Sequence, residues 1–278
     1  MNKRNLCILL AALMLLCAGC QKTVQEPAAQ EAPAEEKAAP VRSASVMEYL
    51  LTLPYARVTH SKLQGGHYDG RYYYQTNIKF DTASGQKENE TYILKYDMQT
   101  GETAAISECL KLGHSNDIAW NPDTNQLLVV CNKPFYDQLG VLDPDTLEQT
   151  GTITLPVKIF CLDYEPGRKQ YVAGLSGGQS FVILNEDFEV VSPEFQPTDE
   201  TAGYTTQGCC CDENYIYFVL HNKSVITVYD WDGNYIKTIA FDSPGEPENI
   251  SVVDGQIYVM VSRVGAAIFT VTETEAAE

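Results

Sequence analysis

Five stretches of this chain lie over one another in a single register, and a repeat of this kind limits the possible folds more than any composition does. "QGGHYDGRYYYQ" (64–75) matches "QGCCCDENYIYF" (207–218) without a gap. Gln64 meets Gln207, Gly65 meets Gly208, Asp69 meets Asp212, and Tyr72 and Tyr74 meet Tyr215 and Tyr217. "NISVVDGQIYVMVS" (249–262) falls in the same register, and "NDIAWNPDTNQLLVVCN" (116–132) and "FCLDYEPGRKQYVAGLS" (160–176) fit with a slightly longer turn. The turn residues Asp69, Asn121, Glu165, Asp212 and Asp254 recur every 42 to 52 positions.

Each unit continues in the same way, with a second and a third alternating run, a tight turn, and a fourth run such as "GTITL", "EVVSP" or "IKTIAF". Period-2 alternation rich in Tyr, Val and Ile predicts strands. Asp or Asn at a turn entry with a later Gly is hairpin chemistry, because the side chain bonds the local backbone and Gly takes positive φ. Four short antiparallel strands per ~45 residues predict an all-β chain, a β-propeller. The expected blades are 63–106, 112–154, 157–195, 203–241 and 246–272. The last holds three strands, and its missing outer strand is available in "MEYLLTLPYARV" (47–58), which would close the ring. Five four-stranded blades are expected, with six as the alternative if the insertion at 77–91 hides further structure.

Lys3 and Arg4 precede an apolar run from Leu6 to Leu16, the pattern of a secretory signal over 1–19. The following "AGC" resembles the lipobox of bacterial lipoproteins, which implies diacylation (palmitate-type lipid) at Cys20; cleavage and release is the alternative. Residues 20–45 are rich in Pro, Ala and Glu, lack aromatics, and read as a flexible tether to the cell membrane. The propeller domain is then 46–278, at the cell surface. With 19 Lys+Arg against 37 Asp+Glu and a formal charge of −18, the chain repels nucleic acid and anionic headgroups. No nucleic-acid partner is expected, and membrane contact is expected through the lipid alone.

The motifs "VLDPDTLEQTG" and "VYDWDGNYIKTI" resemble the NHL- and YVTN-type propellers of exported bacterial proteins, over residues 47–272. That resemblance implies architecture. Propellers of the group include lyases, cyclotransferases, glycan binders and assembly scaffolds, so it fixes no activity.

Cys209, Cys210 and Cys211 fall on the innermost strand of the fourth unit, where alternation puts the first and third on one face. Cys packs there as a small hydrophobe. Beyond Cys17 and Cys20 of the signal and lipobox no C-x2-C pair is present, so neither a metal nor another cofactor is expected. A bridge from Cys161 to Cys209 or Cys211, between adjacent inner strands, stays open.

The turns sort onto two ends. One end collects Asp69, Asp97, Asp143, Asp145, Asp212, Asp230 and Asp254 as turn formers. The other, the mouth, receives Lys79, Lys133, Lys223 and Arg263 from second-strand ends and His114, Asn116, Asp117, Gln207 and His221 around them. Cations with hydrogen-bonding amides suit a polar or anionic ligand, a glycan or a peptide. The leading expectation is a non-catalytic binding module. The alternatives are a lyase, cyclotransferase or hydrolase working through His114, Asp117 and His221, or a scaffold whose partner is another envelope protein. The stretch "GLSGGQS" (174–180) spells G-x-S-x-G, but it falls at a strand-to-strand hairpin and reads as a plain turn; no H-E-x-x-H or phosphate loop is present.

Overall fold

Asp117–Asn121, Ile159–Glu165 and Thr206–Cys211 are buried almost throughout, whereas Glu102–Ile106 and Gln149–Thr154 alternate half-buried and exposed residues. That gradient orders the strands from an axis outward. A computed structural model describes residues 41–54, 61–80, 87–262 and 266–274. The signal, Cys20, most of the tether and Arg263 lie outside the described residues.

The chain begins with β1 (Val41–Leu53). The first meander is β2 (Ser61–Tyr68), β3 (Tyr72–Phe80), β4 (Lys87–Asp97) and β5 (Glu102–Ile106); the second is β6 (Asp117–Asn121), β7 (Gln126–Asn132), β8 (Phe135–Leu142) and β9 (Gln149–Thr154). The third is β10 (Ile159–Glu165), β11 (Gln170–Leu175) and β12 (Phe181–Leu184). The fourth is β13 (Thr206–Cys211), β14 (Tyr215–Leu220), β15 (Val225–Asp230) and β16 (Tyr235–Ala240), and the last is β17 (Pro247–Val253), β18 (Gln256–Val261) and β19 (Ala266–Thr274). The inner strands pack in a ring, β2 on β6, β6 on β10, β10 on β13, β13 on β17, and β17 back on β2. The fold is a β-propeller. Apolar cores fill the wedges between neighbouring meanders; Leu53, Leu63, Tyr73 and Tyr96 meet Met260 and Ile268 in the wedge that joins last to first.

The open edge of β19 is covered by β1, antiparallel, from Ala44↔Thr274 to Leu53↔Ala266. Val41–Ala44 also pair in parallel with Lys237–Ala240 of β16. One strand therefore joins the last two meanders into an eight-stranded sheet. Residues 41–45, which the sequence assigns to the tether, belong to this strand, because the edge of β16 offers them unpaired backbone groups. At 77–91 the strands β3 and β4 pair directly, Ile78 with Thr91 and Phe80 with Lys87; residues 81–86 lie outside the described residues.

The third meander departs from the four-strand pattern. Its fourth run forms only isolated bridges among the described residues, Leu184↔Val190 within "EVVSP" and Phe181↔Phe195 just after it. Pro193 interrupts the ladder, having no N–H to give, and Ser192 Oγ accepts from Ile183 N at 2.8 Å.

The expected turn chemistry is visible in the acidic end. Asp69 Oδ1 accepts from Arg71 N and Tyr72 N, Asp97 Oδ1 from Gln99 N, Asp143 Oδ1 from Asp145 N and Thr146 N. Asp212 and Asp230 do the same for Asn214 and Tyr215 and for Asp232 and Asn234.

Candidate functional site

The loops between meanders are stitched to hairpin ends at the mouth. His114 N donates to Lys133 O (2.9 Å), Ser176 N to Lys158 O (2.9 Å), His221 N to Thr205 O (2.8 Å) and Ser262 N to Glu246 O (2.9 Å). These bonds fix the backbones of His114, Lys133 and His221 among the expected rim residues. Lys133 and Lys223 are exposed, while His114 and His221 are half-buried. Lys79 Nζ donates to Glu90 Oε2 at 2.7 Å, and Lys111 pairs with the same carboxylate. The two lysines, Lys111 first, hold Glu90 down at about 2. Gln207 is buried and donates to Glu246 Oε1 at 2.7 Å.

Two residues expected at the rim are elsewhere. Asn116 is buried, its carbonyl accepting from Gly65 N at 3.0 Å, and Asp117 is 1 % exposed. The start of β6 is where the inner strands converge, so a residue there faces the axis and not the water. Asp117 accepts from Ile118 N (3.0 Å), Leu162 N (3.4 Å), Cys209 N (3.5 Å) and Asn249 Nδ2 (3.3 Å). Asn249 in turn donates to Gly66 O. These two side chains tie all the inner strands together. Gly65 is required beside them: a Cβ there would run into the Asn116 carbonyl and come within 3.0 Å of Asp117 Cα.

Burial pushes the Asp117 carboxyl well above the usual range, against the N–H of Ile118 and with the help of neighbouring Asp163. One layer further along the axis, Asp163 accepts from Cys211 N at 2.9 Å and lies 3.6 Å from His67 Nδ1. Burial raises it too, and His67 opposes the rise. The hydrogen bonds on Asp117 come from strand backbones and Asn249, which makes it an axial tie and not a base at the mouth. Of the alternative acid–base set weighed from sequence, His114 and His221 are half-buried and Asp117 is on the axis.

The cysteines alternate as expected. Cys209 and Cys211 pack with Cys161 between the third and fourth meanders, and Cys210 faces the core shared with the last. Burial pushes the thiols of all three triplet residues up, and the six described cysteines are free.

A pocket of about 490 Å³ opens at the mouth between the third and fourth meanders. Its walls come from the "SGGQS" hairpin, read from sequence as a plain turn, and from the loop 197–206. Phe160 and Tyr204 give it aromatic faces; Gly178, Gln179, Thr205 and Thr206 line the rest. Gln179 sets the loop: its Nε2 donates to Thr201 O (2.8 Å) and to Tyr204 O, and its Oε1 accepts from Thr201 Oγ1 (3.4 Å). Lys223 Nζ stands 5.7 Å from the Tyr204 ring centroid, a cation–π arrangement. The backbone of Lys158, exposed, adjoins the hairpin. Thr206 Oγ1 is buried and makes no hydrogen bond among the described residues. Sequence reasoning placed Lys223 and His221 near this site and missed Gln179, Tyr204, Thr205, Thr206 and Lys158. The available signal was the length of the connection from β12 to β13, longest between any two meanders.

No family model and no curated protein matches the chain. Solved structures do match in fold. Myxococcus xanthus glutaminyl cyclase aligns with a TM-score of 0.62 at 14% identity, over 84% of this chain and 100% of that one. The Myceliophteria thermophila Cps50 (Swd1) β-propeller domain aligns at 0.42 and 14% identity, over 77% and 65% of the two chains. Kuenenia stuttgartiensis hydrazine synthase aligns at 0.44 and 14%, over 75% and 77%. At this identity the first likeness speaks to fold alone.

Proposed function

We propose that this protein is a binding module, carried at the outer face of a bacterial membrane by a lipid on Cys20, that takes a hydroxyl-rich ligand into the mouth pocket. The observation that carries the reading is the pocket itself. Its volume is that of a mono- to disaccharide site, and it joins aromatic faces to a few fixed polar groups, the usual make-up of small-ligand sites. Beneath this lining Thr206 Oγ1 is buried without a hydrogen-bond partner among the described residues. Lys223, over the ring of the lining Tyr204, with Lys158 beside the hairpin, favours a saccharide bearing a carboxylate, such as a uronic acid. Calorimetric titration with a glucuronate-containing disaccharide and its neutral counterpart tests this. The acidic sugar binds more tightly, the preference shrinks as salt rises, and Lys158→Glu with Lys223→Glu removes it. Equal affinity for both sugars, unchanged by the double variant, sinks the charge argument.

The cyclotransferase alternative shares its architecture with the Myxococcus xanthus glutaminyl cyclase. Such a reaction needs an acid–base group in hydrogen-bonding reach of the pocket, and the expected Asp117 is on the axis. Incubation with a peptide beginning in glutamine separates the two readings: loss of ammonia above the uncatalysed rate would establish the enzyme.

A further inference from the structure

The interior brings together a cluster of buried donor side chains contributed by three inner strands. A carboxylate oxygen of Asp117, on β6, and the sulfurs of Cys161, on β10, and Cys209, on β13, all lie within 4.8 Å of one another. The three residues are 1 %, 0 % and 3 % exposed. A tetrahedral zinc ion with Zn–S bonds near 2.3 Å holds two thiolates roughly 3.8 Å apart, so small side-chain rotations bring these donors onto one ion.

Four N–H donors, from Ile118, Leu162, Cys209 and Asn249, are directed at the Asp117 carboxylate and hold it in place, while the imidazole nearby, His67, is directed at Asp163. An ion between the carboxylate and the two sulfurs would supply the missing positive charge. Room for the Cys161 sulfur depends on Gly174, where any Cβ would run into it. The donors are two soft sulfurs and one oxygen, which suits zinc over calcium or magnesium. Sequence spacing cannot show the site, because its ligands at 117, 161 and 209 come from three different meanders.

We propose that Asp117, Cys161 and Cys209 form an axial site for a thiophilic divalent metal ion, zinc first among them, which clamps the second, third and fourth meanders. On loading, each thiol gives its proton to solvent and becomes a thiolate ligand. Because the donors are buried, the ion enters as the chain folds or when the ring opens locally.

The test uses the full mature chain, expressed in zinc-supplemented medium and purified with reductant and without chelator. Elemental analysis is expected to find about one zinc per chain, lost in Cys161→Ala and in Cys209→Ala. Cys210→Ala, in the same triplet but facing the other wedge, keeps it. Protein grown in cobalt shows thiolate-to-cobalt charge-transfer absorption in the near ultraviolet, absent from both of those variants. Should either variant fail to fold, the wild type decides: prolonged chelation under reductant lowers its Tm, and zinc restores it. Metal-free wild-type protein with a chelator-insensitive Tm overturns the proposal. So does zinc that survives Cys209→Ala, or a Cys161–Cys209 disulfide in protein isolated from its export compartment.

Discussion

Replacing Leu53 tests how the ring is closed. Leu53 ends β1, opposite Ala266 of β19, and is 1 % exposed within the wedge shared by the first and last meanders. Leu53→Ala removes three carbons from that wedge, about 2.4 kcal/mol at ~0.8 kcal/mol per buried methylene. A residual cavity against Tyr73, Tyr96 and Met260 adds to this, giving about 3 kcal/mol within the range of buried Leu→Ala changes. For a domain of this size that is a fall in Tm of roughly 6–12 °C. Val46, in the same strand but 48 % exposed, is the control: Val46→Ala should cost about 0.5 kcal/mol or less. Urea titration followed by tryptophan fluorescence measures both, with an unchanged m-value marking a pure stability effect. A Leu53→Ala cost below about 1 kcal/mol, or one equal to that of Val46→Ala, would refute the closure argument.

Gly65→Ala drives a Cβ into the Asn116 carbonyl and should destabilise by ~3 kcal/mol or more, seen as early thermal unfolding; a normal melt would mean that the axis can yield. Cys210→Ala opens a small cavity between the fourth and last meanders and is expected to cost about 1–2 kcal/mol in urea without changing saccharide affinity. Glu90 should titrate at about 2 by carboxyl NMR, down from the usual 4.5. Because its folded value is lowered, its favourable contribution is complete above about 4.5 and is lost as pH falls toward 2; molar salt should move the titration back up.

The features legible in sequence are those set locally or by the repeat. An aspartate three residues before a strand, as at Asp69 or Asp212, announces its turn because its partners are its own neighbours in the chain. The closing strand was legible as a unit one strand short beside an unassigned alternating run, and the cysteine faces followed from a period of two. Asp117 was not legible as an axial tie, since its partners Leu162, Cys209 and Asn249 lie 45 to 132 positions away. The pocket escaped notice for the same reason, because two glycine-bearing loops make one cavity only after two meanders pack side by side. The frayed edge of the third meander turns on Pro193, whose effect depends on which neighbour needed an N–H.

Mapping backbone amide shifts on adding the glucuronate-containing disaccharide tests the proposed binding site most directly. The account predicts shifts confined to Gly177–Gln179, Tyr204–Thr206 and the Lys223 turn, the residues that line or flank the mouth pocket. Ala202→Trp, at an exposed pocket-lining position, should abolish them while leaving the remaining spectrum in place. Shifts centred on the Asp143 and Asp230 turns at the opposite end, or none with either sugar, would contradict it.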